Sequence, residues 1–211
     1  NLAPECSIPA YRIAGQQGYD WAWIAGIWFS ADNTMYVNHD ATVDRTTDGT
    51  GTIADLTDAY INTLHLDITG DGYDLSDFSA DELIVPTFED VLQQCVKYGM
   101  KMCIRVSDFP TTYQSTSDQS KWNGFYNLLK AYNVKNEDVS FYVINGGQAT
   151  VVRQLFGEDA EISVYTGETT TPQQAIDWFS NNNITGNRAF ILHISKIDLS
   201  AIKLLHSNGI R

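Results

Sequence analysis

The stretch DNTMYVNHDATVDRTTDGTGTIADLT, residues 32–57, decides how this chain is read. Met35-Tyr36-Val37 alternates as a short strand does and delivers His39-Asp40 at its end. A polar run follows, holding Arg45, Thr46, Thr47, Asp48, Gly49 and Gly51. Loops rich in hydrogen-bonding side chains commonly carry function on a rigid scaffold. His39 is the natural chemical centre, because an imidazole gives or takes a proton near neutral pH and so suits general acid–base work. An isolated His-Asp pair on a surface loop is more often structural, so the reading depends on what surrounds it.

Working outward, the surroundings hold further motifs in a fixed order. Ala3-Pro4-Glu5-Cys6-Ser7-Ile8-Pro9-Ala10-Tyr11 stands upstream. Asp32-Asn33, His39-Asp40, Val43-Asp44-Arg45-Thr46-Thr47-Asp48-Gly49-Thr50-Gly51 and Asp55-Leu56-Thr57 form the centre, and Ile84-Val85-Pro86-Thr87-Phe88-Glu89-Asp90-Val91-Leu92 stands downstream. Together they resemble the glycerophosphodiester phosphodiesterase family, with its APENT segment, its HD followed by LDRTTDGTG, and its IPTLEEVL. The motifs lie between Ala3 and Leu92; beyond residue 107 the resemblance rests on the spacing of elements. It implies a (β/α)8 barrel, cleavage of glycerol phosphodiesters to glycerol 3-phosphate and an alcohol, and His39 as general acid or base.

Composition bounds the alternatives. A chain of 211 residues suits one domain, residues 1–211. The net charge of −13, with Lys and Arg numbering 13, argues against nucleic acid or an anionic membrane as partner. No apolar run approaches the ~18–20 residues of a spanning helix, and no signal peptide is expected. Compartment is open, an extracellular or virion setting included. Cys6, Cys95 and Cys103 form no metal spacing and read as buried thiols, with a Cys95–Cys103 bridge left open.

In order along the chain, Pro4–Gln17 predicts a helix ended near Gly18. The run Trp21–Phe29 predicts one strand buried on both faces. A short helix is expected over Asp55–Leu64, and a helix over Thr87–Tyr98 with Leu92, Cys95 and Val96 on its apolar face. Strands at Lys101–Val106, Val139–Ile144, Glu161–Tyr165 and Ala189–Ile194 then alternate with helices at Lys121–Tyr132, Ala149–Leu155, Pro172–Asn181 and Leu199–Ser207, the pattern of a parallel sheet. Against the family's barrel, the first strand, which ends in HRG in relatives, and the last strands fall outside these residues. A segment of a longer polypeptide or assembly is therefore expected.

The chemistry departs from the family. Relatives hold Mg²⁺ or Ca²⁺ through a Glu-x-Asp on the second barrel strand and a Glu on the third, since hard cations take carboxylate oxygens and i, i+2 spacing puts both on one strand face. Counted back from His39 these positions fall on Ile24 and Gly26; counted forward from the first helix, on Trp23 and Ala25. The third falls on Arg105, within Ile104-Arg105-Val106-Ser107. Asp20 and Asp108 flank the strands without the required spacing. No metal or other cofactor is expected, and the leading expectation is a catalytically degenerate domain with a binding or structural role; the alternative is an active phosphodiesterase. Arg105 is expected to share a pocket with His39, pairing with Glu5, reaching solvent or holding an anion, and Glu5, Asp40, Arg45 and Arg105 are the candidate residues for a small phosphodiester or other anion.

Other features read more plainly. His65, His193 and His206 lack ligand spacing. Trp21, Trp23 and Trp28 suit barrel filling better than a sugar-stacking platform. Asp67, Asp71, Asp74 and Asp77 lack the EF-hand pattern and read as a solvated loop. Gly146-Gly147 lacks the dinucleotide fingerprint.

Overall fold

The computed structural model describes residues 2–67, 74–106, 108–165, 171–191 and 198–211. Asp71, Ser107, His193 and the end of the strand expected to reach Ile194 lie outside them. Contacts divide the chain into two compact units, Asn1–Asp108 with Ala131–Asn133, and Phe109–Lys130 with Val134–Arg211.

The first unit opens with helix α1, Ile8–Gln16. It starts later than Pro4 because Ser7 caps it: the Ser7 hydroxyl accepts from Ala10 N at 3.2 Å and donates to Pro4 O at 2.7 Å. Pro9 sits in the first turn, where its missing N–H has no cost. The expected single strand Trp21–Phe29 is two. β1, Trp21–Ile24, pairs in parallel with β4, Lys101–Arg105. The chain then leaves that ladder at Ala25-Gly26, and β2, Ile27–Phe29, pairs antiparallel with β3, Met35–Val37. A tight turn joins β2 to β3, with Asn33 in the left-handed region (φ 68°) and its N–H on Ser30 O at 2.9 Å. Continuous hydrophobicity hides the break, since β1 and β2 are both apolar and only Ala25 and Gly26 lie between them.

The polar run after β3 is held by a core of its own. Tyr36, Val43, Ile53, Ile61, Leu64 and Val85 form a buried cluster, with Trp28 and Leu56 packed against it. The helix expected over Asp55–Leu64 is a 3₁₀ turn, Ile53–Asp55, followed by α2, Asp58–Ile61. Helix α3, Phe88–Tyr98, begins with a capping box between Thr87 and Asp90 and ends at Gly99 in the left-handed conformation (φ 66°). Its buried face is Phe88, Val91, Leu92 and Cys95; Val96, expected on that face, is 43% exposed. Helices α1 and α3 pack closely at Gly15, where a Cβ would stand 2.3 Å from Cγ of Tyr98. All three cysteines are free thiols.

In the second unit, α4 (Thr116–Ala131) precedes β5 (Val139–Tyr142), α5 (Gly146–Phe156), β6 (Glu161–Val164), α6 (Pro172–Asn181), β7 (Arg188–Phe190) and α7 (Leu199–Ser207). β6 pairs in parallel with both β5 and β7. Phe109, Trp122, Phe125 and Phe141 pack mostly edge-to-face in its core. The strands β5 and β6 are buried at every position, as expected of parallel strands covered on both faces. Among the described residues no helix is long and apolar enough to cross a membrane.

Candidate functional site

His39 stands two residues past β3, and its backbone is set by its neighbour Asn38, which lies outside the His-Asp motif. Asn38 is 3% exposed; its Nδ2 donates to Asp40 O and Thr42 O, both at 2.9 Å, and its Oδ1 accepts from Thr46 Oγ1 at 3.2 Å. One amide thus ties the His-Asp turn to the Arg-Thr-Thr run. Thr47 Oγ1 donates to Val43 O and accepts from Gly49 N, while Asp44 Oδ2 accepts from Gly51 N. The Thr, Asp and Gly residues of the motif are therefore mostly occupied with the loop's own folding.

The charged side chains form a chain of contacts. His39 Nδ1 lies 2.8 Å from Asp40 Oδ1, Asp40 Oδ2 accepts from Arg45 Nε at 2.6 Å, and Arg45 Nη2 pairs with Glu5 Oε1. Burial works against ionised Asp40, but hydrogen bonds from His39 and Arg45 outweigh it and hold its carboxyl below the usual range. The Arg45 guanidinium is raised above its ordinary value by its bond to Asp40, against burial and with help from Glu5. Cys6, in the left-handed region at φ 56°, has its thiol pushed up to about 12, chiefly by burial and then by Glu5. The structure thus brings together Glu5, Asp40, Arg45 and His39. Arg105 closes β4, half-buried, and the Glu5 carboxylate proposed for it is taken by Arg45.

A cavity of about 360 Å³ opens beside His39, lined by Glu5, Cys6, α1, Ala25 and the aromatic side chains of Tyr19, Trp21 and Trp23. Tyr11, buried in α1, donates its hydroxyl to Trp23 O at 3.1 Å. Trp21 and Trp23, expected as barrel filling, are 40% and 44% exposed on β1, which among the described strands pairs with β4 alone. The reason is β1's alternation: Ala22 and Ile24 take the buried face and leave the two indoles on the other. Trp28 does pack, against the cluster under the loop, with Nε1 donating to Asn38 O at 3.0 Å.

The sequence matches the profile described as glycerophosphoryl diester phosphodiesterase family over residues 1–211. The chain belongs to this family. Human glycerophosphodiester phosphodiesterase 1 is 35% identical over 98 residues, covering 46% of this chain and 28% of the human protein, so the match spans less than a third of that relative's length. The bovine protein of the same name is 34% identical over 103 residues. Among solved structures, an Oleispira antarctica phosphodiesterase in complex with the product sn-glycerol-3-phosphate superposes with a TM-score of 0.74 at 19% identity, covering 100% of this chain and 78% of that one. A glycerophosphodiester phosphodiesterase from Agrobacterium tumefaciens gives 0.71 at 19% identity with the same coverage. The fold is of the (β/α)8 barrel type, as the motifs implied.

The residues do not fit the cation that the family resemblance implies. Of the ligand positions counted from His39, Ile24 is fully buried hydrocarbon and Gly26 has no side chain. In the other register, Trp23 and Ala25 offer no oxygen either, and the third position is the cation Arg105. Among the described residues no three His, Cys, Asp or Glu side chains converge as a metal set would. Of the remaining expectations, His65 is exposed beside Asp48 at 3.7 Å, His206 is exposed at the end of α7, and Asp74 accepts from the Ser76 N–H and hydroxyl.

Proposed function

We propose that this domain is a non-hydrolytic member of its family, acting as a binding module. One observation carries the reading: the donor set on β1 and β4 offers hydrocarbon and a guanidinium where a hard cation needs several oxygens. Without that cation the strands supply no divalent charge to polarise the phosphorus of a phosphodiester. The corner at His39 supports the same conclusion. Glu5 and Asp40 supply two carboxylates to the one guanidinium of Arg45, so an incoming phosphodiester meets net negative charge. The anion role considered for Glu5, Asp40 and Arg45 is thereby weakened, because each is already engaged with another.

A second reading is supported by one feature. His39 keeps an exposed ring bonded to Asp40, the arrangement of an oriented general acid or base. On that reading the domain hydrolyses glycerol phosphodiesters to glycerol 3-phosphate and an alcohol. The two separate in one assay: glycerophosphocholine is incubated with the chain and with its His39→Ala variant, with Mg²⁺, Ca²⁺ or EDTA, and glycerol 3-phosphate is quantified. No release above the variant is expected. Cation-dependent release abolished by His39→Ala would establish the hydrolase instead.

A further inference from the structure

We propose that Asn183 is an N-glycosylation site, the acceptor for an oligosaccharide carried on a lipid pyrophosphate. The site is independent of the binding-module reading above. Asn183-Ile184-Thr185 is the chain's only Asn-x-Ser/Thr triplet, and its middle residue is not proline. The chemistry uses both polar residues: the Asn amide nitrogen takes the sugar, and the transferring enzyme recognises the hydroxyl two positions on.

The fold holds this triplet at the surface, in the turn between α6 and β7. Ile184 points inward and is 7% exposed, while Asn183 and Thr185 on either side are exposed. Neighbouring asparagines are engaged in the fold: Asn182 Nδ2 donates to Trp178 O at 2.8 Å, and Asn187 Nδ2 donates to Asp159 O at 2.7 Å. Among the described residues, neither the Asn183 amide nor the Thr185 hydroxyl has a hydrogen-bond partner. Backbone bonds fix the turn instead. Asn183 N donates to Ser180 O at 3.0 Å and Ile184 N to Phe179 O at 2.9 Å. Arg153 Nη2 donates to Thr185 O at 2.6 Å and to Asn187 O at 3.0 Å. Asn183 takes the left-handed conformation, φ 53°, which Asn tolerates better than most residues. A sugar on its Nδ2 therefore displaces no bond of the fold.

The adjoining surface has room for that sugar. A groove of about 520 Å³ runs beside the turn, lined by Thr150, Arg153, Gln154 and Glu158 of the α5 side together with Asn183 and Thr185. A ring attached at Asn183 meets hydrogen-bonding side chains there, so its hydroxyls keep partners. β6, which lies between α5 and α6 in the chain, is paired on both sides, so the groove is not the open edge of a sheet.

In the transfer, Asn183 Nδ2 bonds to the anomeric carbon of the first sugar. The bond from that carbon to the pyrophosphate oxygen breaks, and the lipid pyrophosphate leaves with the electron pair. Nδ2 gives one proton to a base of the transferase. The compartment of this reaction is oxidising, and the free thiols suit it: Cys6 and Cys95, pushed up to about 12 chiefly by burial, hold almost no reactive thiolate.

The test is mass spectrometry of the protein purified from its natural source. Trypsin releases residues 154–188 as one peptide containing Asn183. That peptide is expected to carry N-acetylhexosamine and hexose masses. After treatment with peptide-N-glycosidase F in heavy-oxygen water, residue 183 should be read as labelled aspartate. A second arm secretes the chain from cultured eukaryotic cells. Wild type and Thr185→Ser should shift in mass on glycosidase treatment, and Asn183→Gln and Thr185→Ala should not. The peptide from the natural source needs no variant to fold, and its recovery only in unmodified form overturns the proposal. A secreted wild type without a shift overturns it too, as does a shift that persists in Asn183→Gln.

Discussion

Replacing Asn38 by Ala should cost more than any change to the charged residues around it. The Asn38 side chain makes three hydrogen bonds, two from Nδ2 to the carbonyls of Asp40 and Thr42 and one accepted from Thr46 Oγ1. Thr46 is 1% exposed, so its hydroxyl loses its partner out of reach of water, a penalty of about 1–2 kcal/mol. The two carbonyls belong to half-buried residues that water can reach in part, and losing their donors adds roughly 0.5–1 kcal/mol each. The sum is about 2–4 kcal/mol, a large share of the ~5–15 kcal/mol that holds a folded domain. For a chain of this length that lowers the melting temperature by roughly 4–16 °C. Differential scanning calorimetry reads it directly. Asn38→Asp should be at least as damaging, because a carboxylate would face two carbonyl oxygens. A drop below about 2 °C in Asn38→Ala would show that the loop is held by its hydrophobic cluster alone and refute the argument.

Further outcomes follow from the same geometry. Arg45→Met should cost no more than about 1 kcal/mol at neutral pH, because the Arg45 pairs are partly exposed. Its clearer effect is on pH dependence: Asp40 has a lowered folded pKa, so its contribution is present above the ordinary carboxylate value and is lost as pH falls through the lower folded one. Carboxyl titration by NMR should find Asp40 returning toward its ordinary value in the variant, and an unmoved Asp40 would contradict the pairing. Gly15→Ala places a Cβ against the Tyr98 ring and should destabilise by roughly 1–3 kcal/mol, offset in part by Ala's better helix propensity; combining it with Tyr98→Ala should recover much of the loss, and additive losses in urea melts would exclude that contact as the cause. Titrating glycerol 3-phosphate by calorimetry into the wild type and Arg105→Ala should give equal heats or none, whereas heat from the wild type alone would make Arg105 an anion anchor.

Ordered motifs made the family legible, because Asp44, Thr46, Thr47, Gly49 and Gly51 each serve a short-range bond that ties identity to spacing. The starts of α6 and α7 fall at the expected Pro172 and Leu199, where the structure shows Thr171 and Asp198 as caps. α1 starts at Ile8 and not at the expected Pro4, because Ser7 caps it. Val96 was assigned to the wrong face because a helix as short as α3 leaves the edge of an apolar stripe undefined by periodicity.

The composition of the site is a matter of residue type, and residue type is read without coordinates: Ile24, Gly26 and Arg105 cannot supply carboxylate oxygens however the chain folds. Which groups meet is a matter of long-range geometry. Nothing local distinguishes Glu5 bonding Arg45 from Glu5 bonding Arg105, since the two guanidinium groups are chemically alike and both lie far along the chain. Nor does an apolar run reveal that it breaks at Ala25-Gly26, because hydrophobicity records the wish to be buried and not the direction in which the backbone leaves. That break turns β2 into a local hairpin with β3 and confines β1 to four residues paired with β4, a strand nearly eighty residues further along the chain.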